Sequence, residues 1–242
     1  MICTALKPMG LPAGELAAQA HAFALGGVDF IKDDHGLLDQ PFCPFEERVA
    51  ACAEAVDRAN RLTGRNCAYL PNVTGPADQV LARARRAKAA GAGGLLICPA
   101  LTGLDVMRRI AEDDAIGLPV MAHPAFGGSL VTAPGNGIAH GVLYGTLMRL
   151  AGADITVYPN HGGRFAFSRE ECAEIAAASA APLGHLAPCF PAPGGGMTTD
   201  RAGDLFQVYG RDFVVLIGGG LHRRSADLAD NARYFVQLLA DL

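Results

Sequence analysis

The sequence predicts a single (β/α)8, or TIM, barrel of eight parallel strands over residues 1–242. Short apolar segments alternate eight times with alanine-rich amphipathic segments, which is typical of parallel strands joined by helical crossovers. The strand segments are almost continuously apolar, as expected when helices cover both faces of a sheet. The length suits one such barrel, and no linker or low-complexity tract divides the chain.

The predicted elements follow one another in regular order. The strands are predicted at residues 2–6, 28–32, 67–70, 94–98, 119–123, 154–157, 185–191 and 213–217. The helices are predicted at residues 13–25, 46–63, 77–90, 105–113, 138–151, 169–180, 200–209 and 225–242. Ser168 and Ser225 each precede an acidic first helical turn, and we therefore predict that they are N-caps.

Composition and charge exclude several classes of partner. With 24 acidic and 20 basic residues the chain has a formal net charge of −4, which argues against nucleic acid or an anionic membrane as the main partner. No apolar run reaches the roughly 20 residues needed to span a bilayer, and the N-terminus lacks the features of a secretory signal. Seven scattered cysteines without CxxC spacing predict reduced thiols in a cytoplasmic protein.

The end of the second strand carries the main chemical signal. Side chains alternate between the faces of a strand, so Lys32 and Asp34 are expected on the same face, with His35 just beyond. A buried lysine beside carboxylates suits proton transfer, Schiff-base chemistry or, once carbamylated, metal ligation. The alternative is a Lys–Asp ion pair that only closes the strand end.

Other polar residues also follow predicted strands, where the active sites of such barrels lie. They are Lys7, Asn72, His123, Asn160, His161 and Arg164. A lone histidine at a strand end is more often structural, but the joint placement predicts one catalytic rim. Gly194-Gly195-Gly196 and Gly218-Gly219-Gly220 follow strands 7 and 8, where backbone amides of this fold bind phosphate. Tight turns alone are the alternative.

Motifs along nearly the whole chain resemble the large subunit of ribulose-bisphosphate carboxylase (RuBisCO). They are Lys7-Pro8, Gly26-Gly27-Val28-Asp29-Phe30-Ile31-Lys32-Asp33-Asp34, Gln40-Pro41-Phe42, His123, Asn136-Gly137-Ile138, Leu150-Ala151-Gly152-Ala153-Asp154 and the two glycine triplets. The sequence is most similar to RuBisCO-like (form IV) proteins, which share the barrel but do not fix CO2. The N-terminal α+β domain of that family is absent from this sequence, so an isolated catalytic barrel is expected.

The resemblance implies a role for each matching residue. Lys32 would be carbamylated by CO2 and would bind Mg²⁺ together with Asp34, while His35 stands where the family has a glutamate ligand. Imidazole is a poorer Mg²⁺ ligand than a carboxylate, which leaves the third ligand open. Lys7 would act as acid or base, His123 would contact the substrate, and the glycine triplets would hold its phosphate.

Departures from the family argue against carboxylation of a bisphosphate. Arg164 replaces the lysine that positions CO2 and is a candidate for substrate binding instead. Met9 stands near the place of a second active-site lysine, and Pro124 replaces an arginine that binds the second phosphate. A monophosphate substrate is therefore expected.

The leading functional prediction is Mg²⁺-dependent enolisation or decarboxylation of a phosphorylated keto sugar-type substrate through a metal-stabilised enediolate. The enzyme would be an enolase, an isomerase or a decarboxylase. One alternative is a Schiff-base aldolase that uses Lys7 or Lys32. Another is a barrel scaffold with little or no activity for lack of the N-terminal domain. A homodimer is expected, or a monomer if the isolated barrel is an engineered fragment.

Overall fold

The chain forms an α/β fold in which all strand pairs are parallel. The computed structural model describes residues 1–133, 135–163, 165–196 and 202–241. The strands are β1 (Ile2–Ala5), β2 (Phe30–Lys32), β3 (Ala68–Leu70), β4 (Leu95–Ile97), β5 (Val120–Ala122), β6 (Ile155–Pro159), β7 (Phe190–Gly194) and β8 (Val215–Leu216). Every ladder between them is parallel, as predicted from the alternation of strands and helices.

Helices connect the strands. They are α1 (Ala13–Gly26), α2 (Phe45–Thr63), α3 (Ala77–Ala89), α4 (Pro99–Thr102), α5 (Leu104–Ala111), α6 (Met148–Leu150), α7 (Arg169–Ala180), α8 (Ala202–Tyr209), α9 (Gly219–Arg224) and α10 (Leu228–Ala240). A 3₁₀ helix covers Gly127–Leu130, and a π-helix covers Gly141–Leu147. The predicted helix at residues 138–151 is therefore divided into this π-helix and α6.

The strands pair as two four-stranded sheets, in the orders β3-β2-β1-β8 and β4-β5-β6-β7. Backbone hydrogen bonds join the sheets at both seams. Val73 N donates to Leu96 O at 2.9 Å, and Val214 N donates to Pro191 O at 2.9 Å. The parallel α/β architecture thus agrees with the prediction, while the ladders themselves form two sheets.

Two apolar clusters cover the sheets on both faces. The inner cluster includes Cys3, Leu70, Met121, Val157 and Leu216, which face one another between the sheets. The larger, outer cluster fills the space between strands and helices. Alternating side chains explain why the strands are almost continuously apolar in sequence, since neighbouring strand residues enter different clusters.

A buried ion pair fixes the chain where β2 ends. The side chains of Asp33 and Arg48 are both fully buried, and Arg48 Nε donates to Asp33 Oδ2 at 3.0 Å. The same carboxylate accepts a hydrogen bond from Tyr69 OH at 2.7 Å and another from Asn72 N at 2.9 Å. Arg48 also donates to the carbonyl oxygen of Leu38 at 2.8 Å. The segment after β2 is therefore attached to both α2 and β3.

Some predicted element boundaries are wrong. Strand β7 begins at Phe190, later than the predicted start at residue 185, and continues through Pro191 and Pro193. Proline lacks an N–H donor, but the carbonyl oxygen of Pro191 still accepts a hydrogen bond from Val214 N.

The two predicted helix caps have different outcomes. Ser168 forms a complete capping box with Glu171, as predicted. Ser225 does not cap the last helix, because it ends α9 instead. The N-cap of α10 is Asp227, whose side chain accepts a hydrogen bond from Asp230 N at 3.0 Å.

Within the part of the chain that the structure describes, no helix is both long and apolar enough to cross a membrane.

Replacing Arg48 by methionine tests the buried ion pair. The change leaves the Asp33 carboxylate buried without its cation, so the free energy of unfolding should fall by about 3 kcal/mol or more. Arg86→Met is the matched control, because the Arg86–Glu46 ion pair is largely exposed and should contribute little. Urea denaturation of both variants measures the difference. Equal losses of stability would contradict the importance of the buried pair.

Candidate active site

One cavity of about 740 Å³ opens where the strands end at their carboxyl termini. Its lining includes the described residues predicted to act in catalysis, metal binding or phosphate binding. These are Lys7, Lys32, Asp34, His35, His123, Gly194, Gly195, Gly196, Gly218, Gly219 and Gly220. Arg164 lies outside the described residues. We call Lys7, Lys32, Asp34, His35 and His123 the charged cluster.

The charged cluster contains a short ion pair. Lys7 Nζ lies 2.7 Å from Asp34 Oδ2, and Gly36 N donates to Asp34 Oδ1 at 3.0 Å. Burial acts to raise the pKa of Asp34, but the hydrogen bonds from Lys7 and Gly36 outweigh it and hold the pKa below its ordinary value. Asp34 is therefore an anion at neutral pH.

Lys32 has a different environment although it lies in the same cavity. Its side chain is buried, and Nζ donates to Asp33 O at 3.0 Å. Burial is the main reason why the pKa of Lys32 lies below its ordinary value, since water no longer solvates the ammonium ion. A larger share of this amine is therefore neutral, and a neutral amine has a lone pair for chemistry.

Two histidines stack beside these side chains. The rings of His35 and His123 are 4.6 Å apart and nearly parallel, and His35 Nδ1 lies 3.4 Å from Asp34 Oδ1. Burial, followed by the nearby Lys32, holds the pKa of His123 well below its usual value near 6.5. Ala125 N donates to His123 Nδ1 at 3.2 Å. The neutral ring must then carry its hydrogen on Nε2, which makes Nε2 a donor.

The glycine loops after β7 and β8 differ in what a side chain would meet there. Gly195 has a φ of 89°, and a methyl group there would lie 2.7 Å from the ring of Phe165. This tight turn accounts for that glycine without a ligand. A methyl group on Gly218 would have nothing closer than Lys7 Cε at 3.5 Å, so its absence leaves room in the cavity beside Lys7.

Sequence reasoning did not foresee an aromatic wall on another side of the cavity. We define the aromatic wall by its residues Val131, His140, Tyr144, Phe167 and Glu171. Burial raises the pKa of Tyr144 to about 12, so its hydroxyl keeps its proton at neutral pH. Val131 follows the 3₁₀ helix, His140 and Tyr144 lie just before and within the π-helix, and Phe167 and Glu171 lie just before and within α7. No short motif links them.

Three residues predicted at the rim have structural partners and are not among the described residues that line the cavity. Asn72 Nδ2 donates to the carbonyl oxygen of His35 at 2.9 Å and so supports that residue from behind. Asn160 Oδ1 accepts a hydrogen bond from Tyr209 OH at 2.5 Å, and His161 Nε2 lies 3.0 Å from Asp204 Oδ2.

The residues present can be tested against the expected Mg²⁺ ion. Among the described residues, no group of three or more His, Cys, Asp or Glu side chains could hold a metal ion. Asp34 and His35 lie together, and a carbamate on Lys32 would add oxygen donors in the same cavity. The donor set therefore fits Mg²⁺ only if Lys32 is carbamylated.

Comparisons with known proteins all point to one family. The family described as the ribulose bisphosphate carboxylase large chain, catalytic domain, matches residues 1–232. The 5-methylthioribulose-1-phosphate isomerase of Rhodospirillum rubrum is 41% identical over 240 residues, covering 99% of this chain and 62% of that protein. The 2,3-diketo-5-methylthiopentyl-1-phosphate enolase of Geobacillus thermodenitrificans is 37% identical over 207 residues, covering 86% and 50%.

A solved structure agrees with these sequence matches. The crystal structure of a RuBisCO-like protein from Rhodopseudomonas palustris superimposes with a TM-score of 0.90 at 42% identity, covering all of this chain and 64% of the other. The chain thus spans about three fifths of the length of the first of these relatives.

The protonation state of His123 can be tested by NMR. Because its pKa is lowered, the ring should remain neutral at about pH 6, where an unperturbed histidine is mostly protonated. The ring nitrogen signals that disappear in the His123→Asn variant identify the residue. Their shifts should stay those of neutral imidazole from about pH 8 to about pH 6. A titration midpoint at or above 6.5 would contradict the buried, neutral ring.

Proposed function

Because this chain belongs to the family of the RuBisCO large-chain catalytic domain, we propose that its cavity enolises a phosphorylated keto sugar-type substrate with the help of Mg²⁺. The observation that carries the proposal is the charged cluster, where Lys7 contacts Asp34 at 2.7 Å beside the buried Lys32. These groups supply a cation, an anion and a largely desolvated amine within one cavity. Enolisation needs an acid and a base of this kind next to a polarised carbonyl.

The metal would be held by Lys32, Asp34 and His35, with Lys32 as its carbamate. A lysine reacts with CO2 only as the neutral amine, and the lowered pKa of Lys32 favours that form. Addition of the neutral amine to CO2 with loss of one proton to solvent would give an anionic carbamate, which suits a divalent ion. Bound Mg²⁺ would polarise the substrate carbonyl and stabilise an enediolate.

The chain's own residues have distinct roles in this proposal. Lys7 Nζ exchanges a proton with the carbon next to the carbonyl, while Asp34 holds the lysine in place. His123 Nε2–H donates a hydrogen bond to a substrate oxygen, because Nδ1 already accepts from Ala125 N. Backbone amides of the two glycine loops bind the phosphate. Arg164 would add positive charge to this site, a role proposed from the sequence alone.

The type of reaction is proposed from both the cavity and the relatives. The described lining residues of the aromatic wall include no lysine or arginine, so a second phosphate has no cation there. A monophosphate is therefore the better substrate, and CO2 fixation on a bisphosphate is disfavoured. Two relatives are named as an isomerase and an enolase of methylthio sugar phosphates, which supports proton transfer as the reaction. A decarboxylation would use the same enediolate.

We also propose that the two sheets close into one eight-stranded barrel that serves as a catalytic domain over residues 1–242. The hydrogen bonds Val73 N–Leu96 O and Val214 N–Pro191 O support closure, since one lies at each seam. Closure would bring the ends of all strands to one rim, where the cavity opens.

Proton exchange tests the proposed function. With 5-methylthioribulose 1-phosphate, Mg²⁺ and bicarbonate in D2O, the wild type should replace protons next to the carbonyl with deuterium, as followed by NMR. Lys32→Ala should lower the exchange rate by about 100-fold or more, since both the metal ligand and the buried amine are lost. Lys88→Ala is the matched control because Lys88 is exposed on α3. That variant should exchange at the wild-type rate.

The outcomes separate the alternatives. Exchange that persists in Lys32→Ala would remove Lys32 from the mechanism. Exchange that needs neither Mg²⁺ nor bicarbonate, together with a substrate adduct trapped by borohydride, would support a Schiff base on Lys7 or Lys32. Absence of exchange in the wild type would support a barrel without activity.

A further inference from the structure

The aromatic wall contains a second pair of titratable side chains that the proposed mechanism does not use. His140 Nδ1 lies 3.5 Å from Glu171 Oε1, and both residues line the cavity. The ring of His140 also packs edge-on against Phe167, with centroids 4.5 Å apart and planes at 84°. The imidazole is therefore held in place from two sides.

Hydrogen bonds with Ser168 fix the position of Glu171, so its carboxylate can orient the ring of His140. Its Oε2 accepts a hydrogen bond from Ser168 N at 2.7 Å, and its backbone N–H donates to Ser168 Oγ at 3.1 Å. This capping box leaves Oε1 for the imidazole. A carboxylate beside Nδ1 favours the form in which Nδ1 carries the hydrogen.

The other ring nitrogen is then available to a ligand. In the part of the chain that the structure describes, no hydrogen-bond partner contacts His140 Nε2. In the neutral ring this atom is an acceptor, so a hydroxyl group in the cavity can donate to it. Around it lie the side chains of Val131, Tyr144 and Phe167, which are mostly apolar. The wall thus offers His140 Nε2 as a hydrogen-bond acceptor among largely apolar side chains, which suits recognition of a hydroxyl group.

The charges of the cavity indicate which part of a substrate reaches this wall. A phosphate at the glycine loops and a carbonyl at the charged cluster leave the remaining end of the substrate to occupy the rest of the cavity. Glu171 repels an anionic end, and the described residues of the wall provide no lysine or arginine to neutralise one. An uncharged end is therefore favoured.

We propose that His140, oriented by Glu171, selects a substrate whose end remote from the phosphate bears a hydroxyl group next to an uncharged apolar substituent. This inference rests on the proposed function, because it assumes that a phosphorylated keto compound occupies the cavity. A substrate that lacks the hydroxyl leaves the imidazole acceptor without a partner, and buried polar groups that lose a partner discriminate strongly.

Two matched probes test the inference by calorimetric binding in the presence of Mg²⁺. They are 5-methylthioribulose 1-phosphate and its 4-deoxy analogue, which differ only in the hydroxyl group at C4. The wild type should bind the hydroxylated probe about tenfold more tightly. His140→Phe keeps the packing against Phe167 but loses the acceptor. His140→Phe should raise the Kd of the hydroxylated probe about tenfold and should change the Kd of the deoxy probe by less than about twofold.

Two further variants serve as controls. His140→Gln keeps a polar group at the end of the side chain and should recover part of the preference. His185→Phe makes the same substitution at an exposed histidine that does not line the cavity, and it should change neither Kd. Circular dichroism establishes that each variant is folded.

The possible results distinguish this inference from the proposed function. If the wild type binds both probes equally, or if His140→Phe weakens both to the same extent, the role of His140 is overturned while the proposed function stands. If the wild type binds neither probe, the proposed function fails and the role of His140 fails with it.

Discussion

The cavity at the ends of the strands depends on the buried Asp33 carboxylate, which holds the end of β2 against the outer layer. The carboxylate accepts hydrogen bonds from Arg48, Tyr69 and Asn72, and the backbone N–H of Asp33 donates to Leu70 O of β3 at 3.2 Å. Side chains alternate along extended backbone, so an outward Asp33 places its neighbours Lys32 and Asp34 inward. Asp33 does not line the cavity, but its buried carboxylate positions Lys32 and Asp34, which do.

The charged cluster must accommodate a surplus of basic groups around one carboxylate. The structure resolves this by burial. Asp34 keeps Lys7 as its ion-pair partner, while burial lowers the pKa of both Lys32 and His123. Two of the basic groups thus favour their neutral forms, as a nucleophilic amine and a hydrogen-bond donor.

Local sequence patterns predicted the features that depend on interactions between residues close together in the sequence. The alternation of apolar and amphipathic segments predicted the parallel strands, and Ser168 before an acidic helical turn predicted a helix cap. The position of Asp33 between Lys32 and Asp34 also indicated that it faces away from them, although its partners did not follow from any pattern. Arg48 reaches Asp33 from another element, and His140 meets Glu171 only because the π-helix packs against α7. Such contacts depend on tertiary packing, and no regular spacing of residues in the sequence predicts them.

The central claim is that Lys32 becomes an anionic metal ligand, and ¹³C NMR tests it most directly. Protein incubated with ¹³C-bicarbonate and saturating Mg²⁺ should show a carbamate signal that disappears when Lys32 is replaced by alanine. The signal should persist when the exposed Lys88 is replaced instead. A wild-type spectrum without this signal, recorded under conditions in which the protein enolises its substrate, would contradict the account.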